Sequence, residues 1–207
     1  MTSALCTLAI GPHRELFEIA RPTFEAFAVR HGRDLVVGED DVAGGRHPGW
    51  GKVALLRELL DAYGTVVWVD ADAVVVDGRD DMAAAVRPWQ DLGLVTHRYG
   101  GLEVPNFGVF VLRASRWSRR LVDRLWQDRR YVDHPWWENA ALLDILGYDV
   151  GDPRPATRRR TVDSLRVGRL DLSWNSIPLD PAPRPRICHF PGMEHGDRLA
   201  LMRAALG

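Results

Sequence analysis

The sequence predicts an α/β fold in which helices flank a mostly parallel central sheet. Strand-like and helix-like segments alternate through the first two-thirds of the chain, the pattern of a sheet built from strand–helix units. The apolar run that begins at Val66 is typical of a strand buried on both faces, as in parallel sheets. With 207 residues, 46% of them hydrophobic and 27% charged, the chain is long enough for one well-packed core, and residues 1–207 are expected to form a single domain.

The first elements follow from short apolar segments separated by turn residues. A strand is expected within Met1–Ile10, and the helix after it is expected to end at Gly32, a residue that caps helix C-termini well. Leu35–Val37 predicts a short second strand. The segment Gly38–Gly49 is rich in glycine and charge and is expected to be an exposed, mobile loop.

The middle of the chain predicts one amphipathic helix and three strands. Val53, Leu56, Leu60 and Tyr63 recur at steps of three and four, which gives a helix one buried face. Gly64 ends this helix, and the strand leading to Asp70 begins at once. Two further strands are expected, at Gly93–Val95 and Phe107–Leu112.

The last part of the chain predicts three more helices and a short strand. Ser115 is a good N-cap for a helix whose inward face carries Trp117, Leu121 and Leu125. A shorter helix is expected from Trp137 to Leu146, and Arg158 to Arg160 are expected in a solvated loop. A strand is expected after Arg186, followed by a final helix whose buried residues are Leu199, Met202 and Leu206.

Composition excludes several classes of function. The formal net charge of −1 gives no global attraction to nucleic acid or to anionic membranes. Cys6 and Cys188 match no zinc or disulfide pattern. The first ten residues lack the basic leader of a signal peptide, and no run approaches the roughly 20 apolar residues of a transmembrane helix. We therefore expect a cytoplasmic protein with no transmembrane segment and no nucleic-acid partner.

Asp70 and Asp72 are the most informative residues of the chain. They end an apolar run, and side chains two apart on an extended backbone point the same way, so both carboxylates can reach one ligand. Ligands of open α/β sheets bind beyond the carboxyl ends of the strands. Paired carboxylates there suit Mg²⁺ or Mn²⁺ held between the protein and substrate phosphates.

One interpretation of the pair is a haloacid dehalogenase-like phosphatase. Asp70 would then attack phosphorus and Asp72 would act as acid and base. Such enzymes usually place this strand at the start of the chain and need a second acidic motif after a later strand. Here about a third of a domain precedes Asp70, and Asp80-Asp81 follows a Gly-Arg turn rather than an apolar strand.

The other interpretation rests on an ordered set of motifs that surrounds the pair. In chain order these are Trp50-Gly51-Lys52, the Asp-x-Asp pair, Asn106-Phe107-Gly108 through Arg113, Trp117-Ser118 and Trp126, Glu138-Asn139-Ala140-Ala141-Leu142, and His189-Phe190-Pro191-Gly192. The set resembles glycosyltransferase family 34, which includes galactosyl-, xylosyl- and mannosyltransferases, and is similar, more distantly, to the glycogenin-like family. It spans about Trp50 to Gly192 and is far more specific than any one of its members.

The resemblance implies a GT-A fold and a metal-dependent transfer from a nucleotide sugar with retention at the anomeric carbon. It implies Mn²⁺ or Mg²⁺ on Asp70, Asp72 and His189, and catalytic roles for Glu138 and Asn139. The nucleotide-sugar site that it implies comprises Lys52, Asp70, Ala71, Asp72, Asn106, Gly108 and Gly192. A UDP-sugar is favoured over a GDP-sugar as donor, and the acceptor stays open among glycans, lipids, proteins and small molecules.

Several of these residues also have ordinary structural explanations. Lys52 fits an exposed lysine, and Glu138 fits an acid that caps a helix N-terminus. Asn106 and Gly108 fit a turn that enters a strand.

The chain also departs from the family pattern at two positions. Asn139 stands where the family usually carries Gln, and Glu194 stands where related sequences tend to carry a Lys that contacts the diphosphate. We hypothesise that Arg198, one helical turn later, replaces that charge. The departures leave open a non-enzymatic alternative, an inactive relic that binds nucleotide sugars.

Overall fold

The computed structural model describes residues 2–99, 102–151, 154–156 and 165–207, and it confirms the predicted α/β class. Arg158 to Arg160 lie outside these residues. The central sheet has six strands in the order β2-β1-β3-β6-β5-β9. Their bounds are β1 Ser3–Leu8, β2 Asp34–Gly38, β3 Thr65–Val69, β5 Leu92–Tyr99, β6 Leu102–Arg113 and β9 Val167–Leu170.

The sheet is mostly parallel, as predicted. Strand β1 pairs in parallel with both β2 and β3, and β5 pairs in parallel with β9. Strand β6 lies between these two groups and pairs antiparallel with β3 and β5. Five strands therefore run in one direction and β6 alone runs against them.

Two short ladders lie outside the central sheet. Strand β4 (Ala73–Val75) pairs antiparallel with β10 (Ile187–His189), and β7 (Asp149–Gly151) pairs antiparallel with β8 (Arg154–Ala156). The first ladder joins the segment after β3 to a segment near the end of the chain.

Helices cover both faces of the sheet. Their bounds are α1 His13–Arg30, α2 Gly51–Ala62, α3 Arg116–Gln127, α4 Trp137–Ile145 and α5 His195–Leu206. Side chains along β3 point alternately to the two faces of the sheet. Val66 and Trp68 pack in the cluster with α2, α3 and α4. Val67 and Val69 pack in the other cluster, with α1 and α5.

Three details differ from the sequence predictions. The backbone from Asp70 to Asp72 is not extended, because these residues form a turn between β3 and β4. The segment Gly38–Gly49 is not wholly exposed: Ala43 is fully buried, and the Arg46 guanidinium lies between the rings of Trp50 and Trp126. Leu206, expected in the core, is 42% exposed, whereas Met202 of the same helix is fully buried.

Within the described residues, no helix has both the length and the apolar character needed to span a membrane.

Candidate active site

Asp70, Asp72 and His189 meet at one end of the sheet. One ligand atom of each lies within 4.8 Å of the other two. Asp70 directly follows β3, and Asp72 directly precedes β4. His189 is brought beside them by the β4–β10 ladder, in which it is paired with Ala73. The backbone N–H of Phe190 also donates to the carbonyl oxygen of Asp72, at 3.1 Å, which fixes the two segments together.

The carboxylate of Asp70 is held by two donors from neighbouring elements. The indole Nε1–H of Trp68 donates to Oδ1 at 2.7 Å, and the ammonium of Lys52, on α2, donates to Oδ2 at 3.1 Å. Trp68 precedes Asp70 by two residues and is fully buried. These bonds fix the orientation of the carboxylate before any ligand arrives.

Lys52 connects Asp70 to Glu138, on α4. Its Nζ donates to the carbonyl oxygen of Phe107 at 2.6 Å and to Oε1 of Glu138 at 3.4 Å. Burial alone would lower the pKa of Lys52, but the carboxylates of Asp70 and Glu138 raise it above its ordinary value. The three ammonium hydrogens thus all have acceptors inside the protein.

Glu138 lies deep in the site and is 7% exposed. Burial raises its pKa; the charge of Lys52 opposes this rise, and that of Asp70 adds to it. Among the described residues, its Oε2 has no hydrogen-bond partner. A Cβ at Gly49 would lie 2.8 Å from this atom, so glycine is what lets the loop before α2 approach it.

The backbone immediately before Glu138 is strained. Trp137 has φ +42°, and it is the one residue other than glycine with positive φ in the described part of the chain. Its ring stacks on that of His47, with centroids 3.5 Å apart and planes parallel. Strained residues persist only where the surrounding structure holds them, and they concentrate at functional sites.

A register shift between β5 and β6 brings part of β6 close to the site. Leu94 of β5 faces Phe110 of β6, but the next residue, Val95, faces Asn106, so part of β6 bulges toward Asp70. The bulge contains Gly108. A Cβ there would lie 2.2 Å from Cε1 of His189 and 2.9 Å from Oδ2 of Asp70.

Hydrogen bonds link this bulge to His189. Oδ1 of Asn106 accepts the backbone N–H of Gly108 at 2.8 Å and the Nδ2–H of Asn175 at 2.9 Å. Asn175 also lies 2.9 Å from Nδ1 of His189, through its Oδ1. Asn175 is fully buried, and His189 is 1% exposed.

Positive charge lies on the opposite side of Asp72. Nη1 of Arg198, on α5, is 3.6 Å from Oδ2 of Asp72 and 3.3 Å from Nε2 of His13. Burial alone would raise the pKa of Asp72, but the interaction with His189, followed by the charge of Arg198, holds it well below its ordinary value. Asp72 is therefore a carboxylate at every pH of interest.

The remaining predicted site residues lie around this centre. Asn139 accepts the N–H of Phe107 through its Oδ1, at 2.8 Å, so its amide holds β6 against α4. Ala71 is buried in the turn between the two aspartates. Gly192 has φ +67° in the turn between β10 and α5, and Glu194 is exposed at the start of that helix.

Sequence reasoning missed Trp68 and Asn175, which contact predicted ligands, and His13, which contacts Arg198. Trp68 shares the face of Asp70 by its spacing of two, a signal that was available. Asn175 lies in a short 3₁₀ turn, and His13 lies at the first position of α1. Neither of these two positions carries a sequence signal, because only the fold places it near Asp72 or His189.

The donor set fits a divalent metal ion. Two carboxylates and one imidazole offer hard and borderline ligands of the kind that bind Mg²⁺ and Mn²⁺. The cluster is buried at Asp72 and His189, and its members are already oriented by hydrogen bonds.

Solved structures of glycosyltransferases are similar to this chain along almost its whole length. One, involved in glycosylation of the major capsid of PBCV-1, has a TM-score of 0.73 at 12% identity, covering 99% of this chain and 100% of its own. The galactosyltransferase LgtC, in complex with donor and acceptor sugar analogues, has a TM-score of 0.56 at 11% identity, with coverages of 97% and 95%. Mouse xyloside xylosyltransferase 1 has a TM-score of 0.57 at 10% identity, with coverages of 93% and 98%.

No protein-family model and no curated protein matches the sequence. At identities this low, the structural matches establish the fold. They agree with the mixed, mostly parallel sheet. The chain therefore has the GT-A fold of glycosyltransferases, as its resemblance to family 34 predicts.

Proposed function

We propose that this protein is a metal-dependent glycosyltransferase that moves a sugar from a nucleotide sugar to an acceptor hydroxyl. The observation that carries the proposal is the convergence of Asp70, Asp72 and His189 at the carboxyl end of β3 in a sheet of the GT-A fold. Mn²⁺ is favoured over Mg²⁺ because the third ligand is an imidazole. A UDP-hexose or UDP-pentose is the preferred donor, and the anomeric configuration is retained.

In this proposal the protein would bind the diphosphate through the metal ion and through a positively charged side chain. Asp70, Asp72 and His189 would hold a divalent ion, and such an ion would neutralise charge on the leaving diphosphate. Arg198 supplies the second positive charge, which is supported by its position beside Asp72 and by its 12% side-chain exposure. Glu194 is exposed at the start of α5, so Arg198 and not Glu194 is proposed to face the diphosphate.

Glu138 and Asn139 are proposed to face the reacting sugar. Lys52 binds one oxygen of Glu138 and leaves the other to orient a sugar hydroxyl. Lys52 itself acts by holding Asp70 and Glu138 in place, since its three hydrogens already have acceptors. Among the described residues of the site, no side chain is placed as a nucleophile for double displacement, so retention is proposed to occur by attack from the face that the diphosphate leaves.

The phosphatase alternative has little support in this geometry. The group that meets Asp70 and Asp72 is the imidazole of His189, whereas a haloacid dehalogenase-like site needs a further acidic motif after a later strand. The matched folds are those of glycosyltransferases. The inactive-relic alternative differs from the proposal in turnover alone, which the following experiment measures.

The first experiment combines ligand binding with turnover. Melting temperatures are measured with UDP, GDP and their sugars, each with and without Mn²⁺ or Mg²⁺, because a ligand of the folded state raises the melting temperature. Asp72→Asn removes the buried ligand, and Asp123→Asn, an exposed partner of Arg57, is the matched control. We expect a metal-dependent shift with UDP-sugars that Asp72→Asn loses and Asp123→Asn keeps.

Turnover is then followed as nucleotide release from the same sugars. Slow hydrolysis of a UDP-sugar in Mn²⁺, with the donor's anomeric configuration in the first product, supports a retaining transferase. Binding without release in the presence of a panel of acceptor sugars favours the relic. The absence of any nucleotide-dependent shift contradicts the proposal.

A further inference from the structure

A chain of hydrogen bonds that begins at a backbone N–H fixes the orientation of the Asn175 amide. The N–H of Gly108 can only donate, so the atom of Asn106 that lies 2.8 Å from it is the oxygen. This same oxygen lies 2.9 Å from Asn175, and an oxygen needs a donor opposite it. The Asn175 atom at that contact is therefore its nitrogen.

This orientation determines which nitrogen of His189 carries the proton. With its nitrogen toward Asn106, Asn175 presents its oxygen to Nδ1 of His189, at 2.9 Å. An amide oxygen accepts only, so Nδ1 must be protonated. In the neutral imidazole Nε2 then has the free lone pair, and it lies 3.3 Å from Oδ1 of Asp72, on the side where the three ligands converge.

We propose that Asn175 is a positioning residue that holds His189 as the Nδ1–H tautomer, with Nε2 ready to bind the metal. This inference rests on the metal site of the proposed function. Without Asn175, the carboxylate of Asp72 would favour a proton on Nε2, and that proton would block the ligand atom. Residues that orient a ligating histidine in this way typically contribute about 10- to 100-fold to metal affinity.

The first test measures the tautomer directly in the metal-free protein. Histidine ¹⁵N–¹H correlation spectra, recorded at a pH where the imidazole is neutral, distinguish a protonated Nδ1 from a protonated Nε2. We expect Nδ1–H for His189 in the wild type and Nε2–H in Asn175→Leu. A wild-type spectrum with the proton on Nε2 overturns the inference, whatever the protein catalyses.

The second test measures Mn²⁺ affinity by electron paramagnetic resonance without nucleotide. We expect Asn175→Leu to weaken binding about 10- to 100-fold. Asn175→Asp removes the donor to Asn106 but keeps an acceptor for Nδ1–H, so it should retain both the tautomer and most of the affinity. Ser173→Ala is the matched control, because Ser173 lies in the same turn and bonds Asp171 and Arg186 but not His189.

These outcomes separate a positioning role from a merely structural one. If Ser173→Ala and Asn175→Leu lose Mn²⁺ affinity equally, or if Asn175→Leu keeps wild-type affinity, the inference is wrong. If Asn175→Leu does not fold, the wild-type spectrum and Asn175→Asp still decide it. A protein with the expected tautomer and Mn²⁺ affinity but no sugar transfer would contradict the proposed function and leave this inference standing.

Discussion

The site depends on individual atoms in close contact, and Asp72 shows this most clearly. It is 6% exposed, yet it faces the imidazole of His189 on one side and the guanidinium of Arg198 on the other. A buried carboxylate is stable only when it is paired in this way. The guanidinium of Arg198, which pairs with this carboxylate, is also the charge proposed to meet the diphosphate of the donor.

Replacing Arg198 tests its proposed role on the diphosphate. Arg198→Ala should weaken UDP binding and turnover about 10- to 100-fold, the effect of losing a charge-assisted hydrogen bond. Arg203→Ala, an exposed position on the same helix, is the control and should change neither. Titration calorimetry with UDP and Mn²⁺ measures the affinity, and equal affinities in the two variants would refute the role.

Substitution of Gly108 tests how closely the predicted metal ligands are packed against the sheet. In Gly108→Ala, the new methyl group would lie 2.2 Å from His189, so the imidazole must move away from Asp70 and Asp72. A displacement of about 1 Å can cost a hundredfold in rate. We expect Mn²⁺ affinity and turnover to fall together. The control is Gly196→Ala, where a Cβ meets no atom within 4 Å; wild-type affinity in Gly108→Ala would show that the site tolerates the shift.

The secondary-structure elements divide into those that sequence patterns determine locally and those that depend on distant partners. Helix α3 belongs to the first group. Ser115 accepts the N–H of Ser118, and the Ser118 hydroxyl accepts the N–H of Ser115, so the helix start is encoded within four residues.

Ser115 therefore makes a measurable contribution to stability. Ser115→Ala should lower the free energy of unfolding by about 1 kcal/mol, and Ser115→Gly by only a few tenths. For a chain of this length, 1 kcal/mol corresponds to a change in Tm of about 2–4 °C. Thermal unfolding followed by circular dichroism checks this, and an equal loss in both variants would assign the effect to something other than the cap.

The β4–β10 ladder belongs to the second group. The sequence predicts the strand that ends before Asp70 because Val66–Val69 are uniformly apolar and β-branched or aromatic. Nothing in Ala73–Val75 or Ile187–His189 indicates that they pair with each other. The chain turns after Asp70, because the Ala73 N–H donates to the Asp70 carbonyl oxygen.

The residues of the candidate site, like the secondary-structure elements, were only partly predictable from the sequence. The resemblance to family 34 named Asp70, Asp72 and His189, which the structure brings together. The roles assigned to Lys52, Glu138 and Asn139 stay predictions. Asn175 was not predictable, since a lone asparagine in a polar turn has no pattern, and its effect arises from contacts with residues far away in the chain.

The fold buries a histidine, His97, in its neutral form. Protonation of this histidine in the unfolded chain lowers the stability of the protein at acidic pH. His97, on β5, is 1% exposed, and burial lowers its pKa to about 4, although Asp180, 3.4 Å away, partly opposes this. Both ring nitrogens lack hydrogen-bond partners among the described residues. Folding therefore holds this imidazole neutral at a pH where the unfolded chain would protonate it.

Stability should consequently fall as the pH drops through the interval between the two pKa values. The unfolded chain binds a proton below about pH 6.5 and the folded chain only near pH 4, so the contribution of His97 is complete above 6.5 and declines below it. At about pH 5 the loss should be roughly 2 kcal/mol. Urea unfolding of the wild type and of His97→Gln at pH 5 and pH 7.5 measures it. The variant should show a smaller difference, and an identical difference would assign the acid sensitivity to other groups.

The β4–β10 ladder has a consequence for the order in which this protein becomes active during its synthesis. Strands β1, β2 and β3, together with both aspartates, emerge from the ribosome well before His189, which lies 117 residues after Asp72. Since domains begin to fold as they are made, a nascent chain can form much of its parallel sheet while the third ligand is still untranslated. The three ligands therefore come together only after the strands that position the two aspartates have been made.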